Sequence, residues 1–126
     1  VRVSHVILFV ADLEASIAFY RDVVGLAPRF TEHGYAELET EGARLALFER
    51  ARVPGLIRRP PGAPGPTAEV VLETEDAGAE AARLRALGMD VVGPVDRPWG
   101  HRTVHVLDPD EHVIEFAEQI PRTRPR

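Results

Sequence analysis

Apolar and polar positions along the chain fall into the same rhythm twice. Val3-Ser4-His5-Val6-Ile7-Leu8-Phe9-Val10-Ala11-Asp12 aligns residue for residue with Thr67-Ala68-Glu69-Val70-Val71-Leu72-Glu73-Thr74-Glu75-Asp76. Each copy holds a β-branched run that predicts a strand and ends on an aspartate able to cap the next segment. Beyond Asp12, Leu13, Ile17, Tyr20 and Val24 return at helical spacing before Gly25; beyond Asp76, Ala77, Ala81, Leu84 and Leu87 do so before Gly88. A glycine directly after the last periodic residue is a helix stop, because it enters the left-handed conformation at no steric cost. The repeat therefore predicts two strand–helix units.

Strand-like material follows each helix. Tyr35 to Glu39 alternates, Glu41-Gly42 turns, and Arg44 to Phe48 continues; in the second copy Met89 to Val92 and Thr103 to Leu107 read as strands, and Asp108-Pro109-Asp110 turns into Val113 to Ala117. Between the copies stand Pro54, Pro60, Pro61, Pro64 and Pro66 with Gly55, Gly62 and Gly65, a composition that reads as a stiff, exposed linker. The expected layout is one α+β domain over 1–126, with modules at about 1–50 and 67–119 and a linker over 51–66. Residues from Pro121 onward are expected to fray. Two βαβββ modules of this kind give cupped mixed or antiparallel sheets with helices outside.

Composition narrows the partners. The 126 residues are 44% hydrophobic and 28% charged, ordinary for a globular chain. The net charge of -5 disfavours nucleic acid as a partner and favours a cationic or metal-bound one. No apolar run approaches the roughly 20 residues that a membrane-spanning helix needs, and Val1-Arg2-Val3-Ser4-His5 does not read as a secretory leader, so a cytoplasmic setting without membrane contact is expected. Cysteine is absent, which removes thiolate metal sites and cysteine nucleophiles. All basic residues are arginines, which reads as genomic codon bias. Ser4 and Ser16 lack a His/Asp context, and there is no glycine-rich phosphate loop.

Strand alternation then selects the inward groups. If Val6, Leu8 and Val10 pack on the helix, His5, Ile7 and Phe9 face the cup; Val70 and Leu72 likewise turn Glu69, Val71 and Glu73 inward, and Ile114 and Phe116 turn Glu115 inward. His105 shares parity with Thr103 and joins the inward set. His33, His101 and His112 fall in turn-like segments and are expected at the surface. Glu69, Glu73 and Glu115 in one cavity would repel one another unless a cation, a cationic ligand or protonation relieved them. Each residue also has a plainer role: His5 as a histidine satisfied by a backbone carbonyl, Glu69, Glu73 and Glu75 as solvated charges, and Trp99 as a ring packed over its own sheet.

Phe19-Tyr20-Arg21-Asp22-Val23-Val24-Gly25-Leu26 and Asp108-Pro109-Asp110-Glu111-His112-Val113-Ile114-Glu115-Phe116, with the duplication, resemble the vicinal oxygen chelate superfamily over nearly the whole chain. That superfamily includes glyoxalase I, extradiol dioxygenases, and fosfomycin and bleomycin resistance proteins. Arg97-Pro98-Trp99-Gly100-His101-Arg102 and the segment from Gly25-Leu26 through Phe30, Tyr35 and Leu45 to Phe48 resemble the bleomycin resistance subgroup most closely.

The resemblance implies two alternatives. In the first, a homodimer sequesters a planar and cationic small molecule of antibiotic type without a cofactor. Trp99, Tyr35 and Phe30 would supply stacking walls, and Glu37, Phe9 and His105 would line the site, with Glu32 and Glu39 as acidic neighbours. In the second, a lyase, isomerase or dioxygenase uses a divalent metal such as Mn, Fe, Zn or Ni. Carried over by position, its ligand set is His5, Leu47, Glu69 and Glu115; leucine cannot coordinate, which leaves His5, Glu69 and Glu115, with Glu115 also the candidate catalytic carboxylate.

Overall fold

The computed structural model describes residues 3–58, 62 and 68–123. The chain divides into two compact units, Val1–Gly65 and Pro66–Arg126, each built around its own four-stranded mixed sheet. The fold is α+β, with helices on one face of each sheet.

In the first unit β1 (His5–Val10) leads to α1 (Leu13–Phe19), β2 (Pro28–Glu32), β3 (Tyr35–Leu38) and β4 (Arg44–Glu49). The Asp12 carboxylate accepts from the Ala15 N–H, which gives an otherwise unpaired helix donor its partner. A π-helical turn over Tyr20–Val24 extends α1, and Gly25 closes it in the left-handed conformation at φ 92. Ser16, Ile17, Phe19 and Tyr20 form the buried helix face, and α1 packs on β3 and β4 over Ala36, Leu38, Leu45 and Leu47. Each large aliphatic side chain so buried contributes about 1.5–3 kcal/mol. The sheet order is β1-β4-β3-β2, parallel between β1 and β4 and antiparallel elsewhere.

A 3-10 turn (Arg50–Arg52), buried Val53 and a short α2 (Pro54–Ile57) follow, so chain expected as linker begins with helical turns. Most of the remaining linker, residues 59–61 and 63–67, lies outside the described residues, as do 124–126 of the tail.

The second unit repeats the plan with β5 (Glu69–Glu73), α3 (Ala77–Ala86), β6 (Val92–Arg97), β7 (His101–Leu107) and β8 (Val113–Gln119) in the order β5-β8-β7-β6. Asp76 caps α3 through the Ala79 N–H, as Asp12 caps α1. Ala77, Ala81 and Leu84 are buried against the sheet, and α3 packs on β6, β7 and β8. No described helix is long and apolar enough to cross a membrane.

Four local expectations need correction. The strand predicted over Met89–Val92 begins only at Val92 and runs to Arg97, because Gly93-Pro94 marks a bulge and not a break. Gly93 is required there: at φ 111, an added Cβ would lie 2.5 Å from the Thr103 carbonyl oxygen. Leu87 and Val6 are exposed: Leu87 lies past the last turn of α3, and Val6 lies at the start of β1, ahead of the buried Leu8 and Val10. His112 is buried, not at the surface. The turn before β8 folds onto Asp108, whose carboxylate accepts from the backbone N–H groups of Asp110 and His112 and meets His112 Nδ1 at 2.8 Å. Lastly, β2 carries no alternation and was not foreseen as a strand; all five of its residues are exposed.

Candidate functional site

Parallel pairing sets laterally adjacent residues on the same sheet face. In the first sheet Leu8 pairs with Leu47 and both are buried toward α1, whereas Ile7 pairs with Ala46 and Ala46 with Glu37. In the second sheet Val71 pairs with Glu115 and Glu115 with His105. The matching rows equate His5 with Glu69, Ala46 with Glu115, and Glu37 with His105. The position matching Glu115 in the first module is therefore Ala46, one residue before Leu47. Register decides this, and it is invisible where Leu45-Ala46-Leu47 is uniformly apolar.

On the open face of the first sheet the buried Glu37 carboxylate is already partnered. His5 Nε2 lies 3.0 Å from Oε1, the Tyr35 hydroxyl donates to Oε1 at 2.9 Å, and Arg29 Nε lies 3.8 Å from Oε2. Burial acts to raise the Glu37 carboxyl, but the hydrogen bonds from Tyr35 and His5 and the charges of His5 and Arg29 outweigh it and hold the group below its ordinary value. The Tyr35 hydroxyl is pushed up, first by burial and then by the adjacent Glu37. His5 Nδ1 meets Ser4 Oγ at 2.9 Å. Phe30 is exposed and tilts against Tyr35 with ring centroids 5.7 Å apart, and Phe9 is half-buried on the same face. Glu32 and Glu39 are exposed.

The open face of the second sheet is arranged differently. His105 Nε2 lies 2.8 Å from Glu115 Oε1 and 4.0 Å from Glu69 Oε1. Burial raises the Glu69 carboxyl above its ordinary value; the hydrogen bond and charge of Glu115 add to this, and His105 opposes it. One donor atom from each of Glu69, His105 and Glu115 falls within 4.8 Å of the others. Ligand atoms about 2.0–2.2 Å from one divalent ion lie about 3.0–3.6 Å apart, so small side-chain shifts would bring the imidazole and two carboxylates onto such an ion. Glu73, from the same strand face as Glu69, is exposed.

Around this trio the sheet forms a hollow of about 520 Å³ lined by Glu69, Val71, Arg97, Trp99, His101, His105 and Glu115. A second hollow of about 600 Å³ shares Val71 and His101 and continues past Glu73 and Thr74. Trp99 stands half-buried in the Pro98-Trp99-Gly100 turn between β6 and β7.

The predicted residues thus separate into two groups. Glu69, Glu115, His105 and Trp99 meet in the second module; His5, Glu37, Tyr35, Phe30 and Phe9 belong to the first. Sequence reasoning missed Arg97 and His101 as lining groups. His101 was read as part of a turn, but it opens β7 directly opposite Arg97, and the shared parity of His101, Thr103 and His105 was the available signal.

The family model described as Glyoxalase/Bleomycin resistance protein/Dioxygenase superfamily matches residues 2–116. A bleomycin resistance protein of Geobacillus stearothermophilus is 30% identical, with 88% of this chain and 92% of that protein covered. A glyoxalase/bleomycin resistance protein/dioxygenase structure from Nocardioides superposes with a TM-score of 0.84 at 26% identity, covering 98% of this chain and 87% of that one. TnmS3, an antibiotic binding protein from Streptomyces sp. CB03234, gives 0.73 at 29% identity, covering 94% and 96%.

Proposed function

We propose a holding role without bond breaking for this chain, which belongs to the Glyoxalase/Bleomycin resistance protein/Dioxygenase superfamily. The ligand is a flat natural product of antibiotic type carrying a cationic group, enclosed by a cytoplasmic homodimer. One observation carries this reading: the only tryptophan, Trp99, is half-buried on the wall of a hollow that also holds Glu69 and Glu115. A stacking ring beside paired carboxylates suits a planar cation, whose charge would relieve the repulsion that lifts Glu69. The relatives named for bleomycin resistance and antibiotic binding support the same ligand class. Exposed Ile7 and Phe30 in the first module and Val71 in the second leave apolar surface for a ligand or a second copy to cover.

The test is a titration of Trp99 emission with metal-free bleomycin and with proflavine, followed by recovery of the compound. Saturable quenching with the compound returned chemically unchanged is the expected result, and sedimentation is expected to give a dimer. Unchanged emission with both compounds at high concentration overturns the stacking role.

A second reading rests on the Glu69–His105–Glu115 trio. These groups would hold a divalent ion such as Mn, Fe, Zn or Ni, with His105 a donor that the carried-over set of His5, Glu69 and Glu115 did not include. Such an ion would supply polarisation of adjacent substrate oxygens, and Glu115, hydrogen-bonded to His105, is placed to hold a proton for a lyase, isomerase or dioxygenase reaction. Stoichiometric metal that survives purification, and is lost in Glu115→Gln, would favour this reading over sequestration.

A further inference from the structure

The second module's hollow contains a cation that the sheet itself does not neutralise. Arg97 ends β6 half-buried, and its Nε donates to Thr103 Oγ1 at 3.1 Å. Thr103 is itself fixed: it is buried, and its hydroxyl donates to the Val95 carbonyl at 3.4 Å. Among the described residues no carboxylate stands within ion-pair distance of Arg97, whereas Arg102, one turn away, is clamped by Asp96 and Glu118. The side-chain bond to Thr103 engages one nitrogen and leaves the two Nη groups, four N–H donors, on a side chain that lines the hollow together with Trp99 and His101. A tethered guanidinium with its fork unspent is preorganised for an oxyanion, because little rotamer freedom remains to be lost when two parallel hydrogen bonds form.

We infer that Arg97, with His101 opposite, is an oxyanion-reading subsite, so that the ligand is amphoteric: a carboxylate or ionised phenol at this end, and a cationic or hydrogen-donating group at Glu69 and Glu115. The inference rests on the proposed holding role and adds a second pole to it. Register sets the distance between the poles. The Arg97 side chain is held at Thr103, two residues along β7 from His105, which pairs with Glu115, so about 7 Å of strand separates the poles. That length matches the short axis of a fused three-ring system with an oxyanion on one long edge and a basic ring nitrogen on the other. Trp99, in the turn next to Arg97, lines the same hollow.

The experiment compares acridine-9-carboxylate with acridine-9-carboxamide, near-identical in shape and different in charge, by quenching of Trp99 emission in the full chain. Binding of the carboxylate about tenfold tighter than the amide is expected, the size of a charge-assisted, bidentate contact. Arg97→Gln should reduce that ratio below about twofold, while Arg97→Lys, which keeps the charge but loses the fork, should retain an intermediate ratio. Circular dichroism and thermal melting of both variants check that the fold is retained; the Lys variant keeps the test open if the Gln variant misfolds. If the amide quenches as well as the carboxylate, or if the Gln variant keeps the full preference, the subsite is wrong and the holding role stands. If neither compound quenches in the unaltered chain while proflavine does, the subsite alone fails; if proflavine is silent too, the holding role fails with it.

Discussion

At the head of its edge strand the first module places a histidine and, across the sheet, a glutamate; the second module places a glutamate and, across the sheet, a histidine. The row between them is alanine in one case and glutamate in the other. This exchange has opposite electrostatic results. His5, Tyr35 and Arg29 satisfy Glu37 completely enough to lower its carboxyl, whereas Glu69 has a second carboxylate for a neighbour and is lifted. The first module has spent its acid on its own framework. The second keeps two adjacent carboxylates that share one histidine, and the same module holds the hollow, Trp99 and Arg97, which has no carboxylate partner among the described residues.

The turns after β3 and β7 extend the comparison and offer its most disruptive test. Thr40 organises the first, donating to the Ala43 carbonyl and accepting from the Leu45 N–H; Asp108 organises the second through two N–H groups and the His112 ring. Because the buried Asp108 carboxyl holds two backbone N–H groups and the His112 ring, Asp108→Ala should cost about 3 kcal/mol in urea denaturation, and Thr40→Ala about 1 kcal/mol. Equal costs would mean the two turns are built alike.

Removing the stacking wall comes next. Trp99→Ala should weaken proflavine binding about tenfold by calorimetry, with Phe30→Ala weakening it less if the ligand belongs chiefly to the second module. A larger loss from Phe30→Ala would break the comparison.

The two carboxylates should also titrate stability in opposite senses. Glu37 has a lowered value in the fold, so its contribution is present above the ordinary value of 4.5 and is lost as pH falls through the lowered one. Glu69 has a raised value, so its contribution is present below 4.5 and is lost as pH rises through the raised one. In urea midpoints measured from about pH 3 to pH 8, Glu37→Gln should therefore lower stability at neutral pH and flatten the acid limb, and Glu69→Gln should raise stability at neutral pH. Shifts of the same sign would refute the electrostatic contrast.

The smallest effect concerns the left-handed residue of each turn. Gly42 sits at φ 71 and Glu111 at φ 66, a conformation that a side chain disfavours. Glu111→Gly should stabilise the chain by about 0.5–1 kcal/mol in thermal melts, while Gly42→Ala should destabilise it.

Much of this was legible in the chain. The duplicated apolar rhythm, Asp12 and Asp76 as caps and Gly25 as a helix stop follow from local sterics and hydrogen bonding, which need only neighbouring residues. Alternation put Glu69, Glu73 and Glu115 on one side of their strands because a strand's faces are fixed by parity. The exposed β2 has no such rhythm, and the bulge at Gly93-Pro94 mimics a strand end, so both were missed. His112 looked like a turn residue because only the folded turn brings the Asp108 carboxylate onto its ring.

The sequence alone determined two strand–helix repeats, their caps, the absence of cysteine chemistry and the parity of the acidic residues, all consequences of short-range geometry. Tertiary structure decided which residues share a row: Ala46 instead of Leu47, Glu37 bonded to His5, Glu115 between Glu69 and His105, and Arg97 opposite His101. Those pairings depend on strand register, which is set by cooperative packing of residues distant in the chain, and no local pattern encodes it.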